Sequence, residues 1–148
     1  MRDEKTLILI KPDGIKRRLT GLALDRLEAE GLEMAAAKVV SVSEKLAREH
    51  YQEHAGKPFY EMLVKFIRGE YHGVNKVCTF VYKGEDAVAR ARRVVGATNP
   101  EEALAGTIRG SFGRLKDGRM ENVVHASANH ADAEREISLW FNPGEIIE

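Results

Sequence analysis

The sequence predicts one domain of the mixed α/β (α+β) class, in which helices cover a four-stranded sheet. Short apolar runs rich in β-branched residues occur four times, as expected of buried strands. Segments with helical spacing of apolar residues lie between these runs, and no repeat, low-complexity segment or linker separates them. At 148 residues, of which 43% are hydrophobic, the chain is long enough for one ordinary domain with a real core. We therefore expect residues 1–148 to form a single domain.

The first half of the chain predicts two strands and three helices. In chain order they are a strand at 6–10, a turn at 11–14, a helix at 19–30, a strand at 32–42, and helices at 43–54 and 59–67. Thr20 and Ser43 stand where capping side chains would begin the first two helices. The Lys-Pro-Asp-Gly sequence favours a turn after the first strand, which leaves Lys11 at the exit of that strand.

The second half adds two strands and two helices. In chain order it predicts a polar loop at 69–75, a strand at 76–82, a basic helix at 86–95, an irregular stretch at 97–116, a strand at 122–125 and a helix at 132–139. The order β-α-β-α-α-β-α-β-α predicts a ferredoxin-like sandwich, a four-stranded antiparallel sheet with helices on one face. A flavodoxin-like parallel sheet is the alternative fold. Irregular stretches as long as 97–116 are uncommon in compact domains and tend to be functional or disordered.

The charge balance argues against binding through a broad electrostatic field. The 23 basic and 23 acidic residues cancel, so we expect no nucleic-acid or membrane partner, and any phosphate site must be a local cluster. The lack of an RNP aromatic motif argues against an RNA-binding module of this fold. Cys78 is the single cysteine, which excludes an internal disulfide and a thiolate zinc site. No apolar run is long enough to span a bilayer and no signal-peptide core is present, so we expect a cytoplasmic protein.

Phosphate groups, if they are bound, must be held by side chains. The sequence contains neither the P-loop pattern GxxxxGK[ST] nor the dinucleotide pattern GxGxxG. Lys11, Arg92 and Arg109 offer positive charge, and Thr98 offers a hydroxyl. Arginine holds phosphate oxygens in a bidentate way and stays charged, which suits a phosphoryl clamp. Taken singly, each of these residues is more typical of a solvated surface, and the loop around Arg109 is expected to be exposed.

His125 is the candidate nucleophile. Val123 and Val124 lead into it as the end of a buried strand, and the small residues Ala126 and Ser127 leave room beside its ring. A neutral imidazole is a good nucleophile near neutral pH, because its unperturbed pKa is about 6.5. On this stretch alone, a partly buried histidine with a purely structural role is the favoured interpretation. The other histidines are predicted on helix faces or loops away from the basic residues: His50, His54, His72 and His130.

A second pattern predicts a different chemistry. His50, Glu53 and His54 match H-x-x-E-H, the inverted zinc-peptidase motif. On a continuous helix the two histidines would lie on one face, as zinc ligands do. The motif is short and no downstream helix offers an obvious third ligand, so a solvated helix face is the simpler interpretation. Zinc-dependent hydrolysis is kept as the alternative function, and no other metal site on the protein is predicted.

Five short motifs span nearly the whole chain. They are KPDG at 11–14, GATNP at 96–100, GTIRG at 106–110, HAS at 125–127 and EISLWF at 136–141. In this order they resemble the signatures of the nucleoside diphosphate kinase family. The resemblance implies a ferredoxin-like fold and transfer of the terminal phosphoryl group from a nucleoside triphosphate to a nucleoside diphosphate. It further implies a ping-pong path through a phosphohistidine, Mg²⁺ carried in on the nucleotide, and a homo-oligomer, commonly a hexamer and sometimes a tetramer.

The resemblance also implies roles for individual residues. His125 would be the nucleophile, with Ser127 and Glu136 holding its ring. Phe59 would stack on the base, with Leu63 behind it, and a stacked ring grips any base through its π-face, so base specificity should be loose. The residues implied to contact phosphates or ribose are Lys11, Tyr51, Arg92, Thr98, Arg109 and Asn122.

Three features depart from the family's usual pattern. The segments 69–76 (GEYHGVNK) and 115–120 (LKDGRM) are longer than usual, a change that surface loops tolerate well. Ala126 stands where the family usually has glycine, and Ala128 stands where it usually has an acidic residue. Both alanines adjoin the residue pair expected at the reaction centre, so they bear on the local geometry around His125.

Overall fold

The computed structural model describes residues 3–148, so residues 1 and 2 of the predicted domain lie outside the described part. The strands are β1 (Asp3–Ile10), β2 (Glu33–Val40), β3 (Val77–Glu85), β4 (Arg114–Lys116), β5 (Arg119–Glu121) and β6 (Val124–Ala126). The α-helices are α1 (Pro12–Lys16), α2 (Thr20–Ala29), α3 (Glu44–His50), α4 (Tyr60–Ile67), α5 (Ala87–Val95), α6 (Ile108–Phe112) and α7 (His130–Trp140). Single 3₁₀ turns lie at Gln52–His54, Pro100–Glu102 and Pro143–Glu145.

The main sheet confirms the ferredoxin-like prediction. Its strand order is β2-β3-β1-β6, and each neighbouring pair is antiparallel. The parallel, flavodoxin-like alternative is therefore wrong. In the register between β1 and β6, Leu9 lies opposite His125 and Ile8 lies opposite Ala126. The candidate nucleophile thus sits on a short edge strand that is held by the central strand of the sheet.

Helices cover both faces of the sheet, whereas the sequence predicted them on one face. Ile8 and Ile10 of β1 pack with α2, α5 and α6 on one side, and Leu7 and Leu9 pack with α3, α4 and α7 on the other. Side chains alternate between the faces of a strand, so these four residues fill two cores. Burial on both faces explains the uninterrupted apolar run of β1, since such a strand does not alternate apolar and polar residues.

The starts of the first two helices differ from the prediction. Three of the four residues predicted as a turn at 11–14 lie in the five-residue helix α1, which begins at Pro12, a position that proline favours. Thr20 is the first residue of α2 rather than its cap, and Leu19 at the N-cap makes no side-chain capping bond. A five-residue helix is too short to show helical periodicity, and the sequence therefore gave no sign of α1.

The helix predicted at 43–54 is interrupted. Ser43 caps α3 as predicted, with its hydroxyl accepting a hydrogen bond from the backbone N–H of Leu46 at 3.0 Å. However, α3 ends at His50, and the chain turns through Tyr51 into the 3₁₀ turn that ends at His54. The two histidines therefore do not lie on one continuous helix.

The stretch predicted as irregular at 97–116 contains regular structure. It holds α6 and the strand β4, and β4 forms a hairpin with β5. Asp117 and Gly118 join the two strands and both have positive φ, at 52° and 76°, as a type I′ hairpin turn requires. The extra residues at 115–120 thus form most of a small β-hairpin.

Among the helices of residues 3–148, none has the length and apolar character needed to cross a membrane.

Candidate active site

A cavity of about 560 Å³ lies beside β6, a volume in the usual range for small-molecule sites. The structure brings all but one of the predicted site residues to its walls. Those lining it are Lys11, Tyr51, Phe59, Leu63, Arg92, Thr98, Arg109, Asn122, His125 and Glu136. The remaining one, Ser127, is fully buried behind the wall.

His125 is held on one side by a buried carboxylate. Its Nε2 lies 3.0 Å from Oε1 of Glu136 on α7. The hydroxyl of Ser127 donates to the same oxygen at 2.7 Å, and it accepts from the backbone N–H of Leu7 at 3.1 Å. Glu136 is therefore fixed from the central strand through Ser127, and the imidazole is fixed from Glu136.

The charge state of Glu136 decides which ring nitrogen of His125 is free. Burial by itself raises the pKa of this carboxyl, but the hydrogen bond and charge of His125, with help from His50 and Ser127, bring the pKa down to about 2. An ionised carboxylate can only accept hydrogen bonds, so Nε2 of His125 carries the proton that it donates. The lone pair of the neutral ring then lies on Nδ1.

Lys11 and Asn122 form a buried polar pair at the end of β1. The ammonium group of Lys11 donates to Oδ1 of Asn122 at 2.9 Å, and Nδ2 of Asn122 donates to the carbonyl of Thr98 at 3.0 Å. Burial, against the raising effect of Asp13 and with a smaller contribution from the charge of Arg109, lowers the pKa of Lys11 to about 8. The sequence predicted Lys11 at this strand exit, and the structure places its charge inside the cavity wall.

The side chain of Arg109 is buried, although the loop that precedes it, at 104–106, is exposed as expected. Arg109 lies on α6, whose first residues are held by the hydroxyl of Thr107. Its two terminal nitrogens donate to the carbonyl of Gly96 at 3.0 Å and to that of Val124 at 2.7 Å. Burial, and then the charge of Arg92, lower the pKa of Arg109 to about 10. Arg109 therefore supports the strand that carries His125, and its removal is expected to weaken the fold as well as the site.

An aromatic group stands at the mouth of the cavity. Phe59 precedes α4 and is 42% exposed, and its ring centroid lies 5.3 Å from that of His54. Leu63, one helical turn on, lines the same wall. Tyr51 lies deeper, and burial, followed by the charge of Glu136, raises the pKa of its hydroxyl, which therefore stays protonated.

Sequence reasoning missed the support beneath residues 122–125. Val123 has φ of +71°, a conformation that β-branched residues rarely adopt. Asp13, fully buried on α1, accepts a hydrogen bond from the backbone N–H of Val123 at 2.9 Å. A Cβ atom added to Gly14 would lie 2.8 Å from the carbonyl oxygen of Val123. The Asp-Gly pair that predicted a turn thus also makes room for, and fixes, the strained residue before the β6 strand.

His50 was predicted away from the site, and this is wrong. Its ring centroid lies 4.7 Å from that of His125, and its Nδ1 accepts a hydrogen bond from the indole of Trp140 at 3.1 Å. Burial, and then the charge of His125, hold its pKa well below the usual value. No local pattern marks this contact, because it depends on the packing of α3 against α7.

The zinc-peptidase interpretation has no support in this geometry. In neutral His50, Nδ1 is already engaged by Trp140 and Nε2 then carries the proton, so no lone pair is left for a metal. Within residues 3–148, the His, Cys, Asp and Glu side chains close enough to share a metal ion are His50, His125 and Glu136. Neither Glu53 nor His54 belongs to that group, and Glu136 is already bonded to His125 and Ser127.

The two alanines at the reaction centre fit without distortion. Ala126 continues β6 in register with Ile8 and does not have the positive φ that would call for glycine. Ala128 is exposed and lines the cavity. The hydrogen bonds among His125, Ser127 and Glu136 form with these alanines in place.

A histidine with one nitrogen on a carboxylate, facing a cleft lined by basic side chains on a ferredoxin-like sheet, is typical of an enzyme that moves a phosphoryl group. A sequence model of the nucleoside diphosphate kinase family matches residues 4–146. The chain belongs to this family, and it is a phosphotransferase of nucleotides.

Curated relatives agree over nearly their full length. The chain is 47% identical over 145 residues to the nucleoside diphosphate kinase of Bacillus licheniformis, a match that covers 98% of this chain and 93% of the relative. It is 45% identical over 144 residues to that of Thermus thermophilus, which covers 97% of this chain and 99% of the relative. Nucleotide kinases of this family generally use a divalent cation.

Solved structures agree in fold. A transition-state mimic of the Borrelia burgdorferi nucleoside diphosphate kinase, with bound vanadate and ADP, has a TM-score of 0.89 and 39% identity, covering 99% of this chain and 91% of that one. The Halobacterium salinarum enzyme in complex with CDP has the same TM-score, 0.89, and 39% identity, covering 99% and 93%. The ferredoxin-like prediction is therefore confirmed by relatives as well as by strand order.

Proposed function

We propose that the protein transfers the terminal phosphoryl group of a nucleoside triphosphate to a nucleoside diphosphate in two half-reactions, with His125 as the nucleophile. The observation that carries this assignment is the 3.0 Å contact between Nε2 of His125 and Glu136. It leaves the Nδ1 lone pair as the group that attacks the γ-phosphorus. The N–P bond forms as the bond from phosphorus to the leaving oxygen breaks, and the nucleoside diphosphate departs. A second nucleoside diphosphate then reverses the step.

The protein's part in this chemistry is positioning and charge neutralisation. Lys11, Arg92 and Arg109 bring positive charge to one cavity, and such groups stabilise the negative oxygens of a phosphoryl group in transfer. Asn122 and the hydroxyl of Thr98 supply hydrogen bonds to phosphates or ribose. Tyr51 remains a neutral donor beside them. Glu136 stabilises the positive charge that the imidazole ring gains when it is phosphorylated.

The base would lie against Phe59 at the mouth of the cavity, with Leu63 behind the ring. An exposed aromatic face suits stacking, because each base offers a π-face whatever its edge carries. The His54 ring, packed on the inner side of Phe59, limits the movement of this platform. This arrangement supports use of many nucleotides rather than one.

Mg²⁺ is the divalent cation that we propose, held through the nucleotide phosphates. The donor set fits this, since the phosphate-facing residues are cationic and offer no oxygen cage of their own. Mg²⁺ usually keeps several waters and binds few protein carboxylates when phosphates are present. Bound there, it would neutralise phosphate charge. Glu53 and Asp132 also line the cavity.

We further propose that residues 1–148 act as one domain in a cytoplasmic homo-oligomer, with a hexamer as the expected assembly and a tetramer as the alternative. Exposed apolar side chains support association. Val39 on the edge strand β2 is 65% exposed, and Leu104 is 78% exposed. Light scattering coupled to size-exclusion chromatography distinguishes six copies from four, and a monomer at working concentration would refute the assembly.

The phosphohistidine is tested by isolating the first half-reaction. The protein mixed with Mg²⁺ and ATP labelled at the γ-phosphate should retain label in the absence of an acceptor. The adduct should be labile to acid and stable to base, as an N–P bond is, and any nucleoside diphosphate should discharge it. His125→Ala should abolish labelling, whereas His54→Ala and His130→Ala should not. Transfer without a protein-bound intermediate, or label that survives in His125→Ala, would overturn the assignment.

A further inference from the structure

The two segments that are longer than the family pattern meet each other in the folded chain. One is the loop at 69–76 between α4 and β3, and the other is the hairpin formed by β4 and β5 at 114–121. They are separated by about forty positions in the sequence, yet side chains of the hairpin contact side chains of the loop, and the loop side chains pack against Phe66 of α4. We call the contacting residues the loop–hairpin cluster: Phe66, Tyr71, His72, Arg114, Arg119 and Glu121.

A buried hydrogen bond joins the loop to the hairpin. Nε2 of His72 lies 2.7 Å from Oε2 of Glu121, and the two side chains are 8% and 5% exposed. Arg114, across the hairpin, donates from Nε to the other oxygen of Glu121 at 2.8 Å. A second contact also joins the hairpin to the loop. The guanidinium of Arg119 lies 4.1 Å from the ring centroid of Tyr71.

The ring of His72 bonds to Glu121 through Nε2. Its second ring nitrogen, Nδ1, is buried without a hydrogen-bond partner in the structure of residues 3–148. Leaving a buried polar atom unpaired is unfavourable, so the bond at Nε2 must compensate for it. Burial of Glu121 raises its pKa, but the hydrogen bonds from His72 and Arg114 outweigh this and lower the pKa overall. Glu121 is therefore a buried carboxylate that depends on its two partners.

The cluster adjoins the phosphate-binding side of the cavity in three ways. Glu121 directly precedes Asn122, which holds Lys11 at 2.9 Å. Phe66 packs edge-on against His72 with ring centroids 5.1 Å apart, and the Lys11 ammonium lies 4.9 Å from the centroid of the same ring. Met120, on the hairpin, lines the cavity.

The residue after Asn122 has a strained backbone that its neighbours must hold in place. Val123 is held in a left-handed conformation, which is unfavourable for a β-branched residue and persists only where the surroundings impose it. Asp13 restrains Val123 from one side. On the side of Asn122, the neighbouring restraint is Glu121, anchored by His72 and Arg114.

We propose that His72, acting through Glu121, is a positioning residue that sets the Asn122–Lys11 pair in the geometry that nucleotide phosphates require. It does not touch the reacting atoms. The inference rests on the proposed function, since it takes Asn122 and Lys11 to be nucleotide contacts. The loop and the hairpin then form one structural unit that restrains the cavity wall, rather than two independent surface insertions.

The test is a double-mutant cycle measured by kcat/KM for phosphoryl transfer. His72→Leu removes the donor and keeps an apolar side chain against Phe66, and it should lower kcat/KM about tenfold, within the range of coupling in a hydrogen-bonded network. His72→Gln, whose amide nitrogen can reach the position of Nε2, should recover most of that loss. Asn75→Ala, an exposed change in the same loop, should leave kcat/KM unchanged.

The cycle with Asn122→Ala separates positioning from simple stabilisation. If His72 acts through Asn122, His72→Leu should have little further effect on kcat/KM in the Asn122→Ala background. Full additivity of the two changes, or a lower Tm for His72→Leu with unaltered kcat/KM, would overturn the inference. If His72→Leu does not fold, the nearly isosteric Glu121→Gln carries the same cycle and the same outcomes. Should Asn122→Ala itself leave activity intact, the nucleotide-site assignment fails instead, which keeps the two failures distinct.

Discussion

Burial makes the charge of Lys11, a proposed phosphate contact, sensitive to pH. Its pKa is lowered to about 8 from an ordinary value of 10.5. As the pH rises through about 8, the free enzyme loses this charge and with it an attraction for phosphates. A bound phosphate group favours the charged form, so the loss belongs to the free enzyme.

We expect kcat/KM to fall as the pH rises above about 8, while kcat holds to higher pH, because kcat/KM reports groups of the free enzyme. Stability should move the other way. Between about pH 8 and 10.5 the unfolded chain binds a proton at Lys11 that the folded chain does not, so the free energy of unfolding rises with pH in this window. Lys11→Met should lose that rise in urea unfolding. A kcat/KM that stays flat to pH 10 would contradict the lowered pKa.

The sequence identified individual residues where the signal was local and missed them where it was not. His125 follows two valines and precedes small residues, and the family motifs around it are short and contiguous. The burial of Arg109 and the contact of His50 with His125 arise from the packing of different elements against the β6 strand. A residue's type can be read directly, but the partner that removes it from solvent is set by tertiary packing.

At the scale of elements, length decided what the sequence could reveal. Strands of eight or nine residues, such as β1 and β3, carry enough apolar positions to be recognised. The helices α1 and α6 have five residues each, and β4 and β5 have three each, which is less than two helical turns or two strand repeats. Two of these short elements reach the cavity, through Arg109 of α6 and Met120 of β5, so the long strands of the main sheet were predicted more completely than the short elements beside the site.

The helix α1 is expected to act on the β6 strand through Asp13. Asp13→Ala leaves the buried backbone N–H of Val123 without its partner, which should lower the free energy of unfolding by about 1–3 kcal/mol. It should also reduce kcat, because residues 122–125 lose a restraint. Asp13→Asn keeps an acceptor oxygen and should be milder in both respects.

Urea denaturation and steady-state kinetics on the same preparations measure the two effects. Asp25→Ala, an exposed change on α2, is the matched control and should stay within about 0.5 kcal/mol of the parent. Equal stability of Asp13→Ala and Asp25→Ala would show that another group supports the strained residue.

For the molecule as a whole, one cavity must serve the donor and the acceptor nucleotide in turn. The charged half of the cavity holds groups common to all nucleotides, and Phe59 offers an exposed ring to the part that varies. We therefore expect purine and pyrimidine diphosphates all to be accepted, with kcat/KM values within about two orders of magnitude, since stacking on an aromatic ring contributes about 1–3 kcal/mol per base.

Phe59→Ala tests whether stacking has this general role. It should raise KM for each nucleoside diphosphate by a similar factor and change kcat less, because the base is held equally in the ground and transition states. His54 and Glu53 are the polar side chains nearest to Phe59 in sequence that also line the cavity. His54→Ala tests whether His54 forms hydrogen bonds to the edge of the base. If the parent enzyme accepted a single base and His54→Ala removed that selectivity, hydrogen bonds to base edges, rather than stacking on the Phe59 ring, would determine which nucleotides bind.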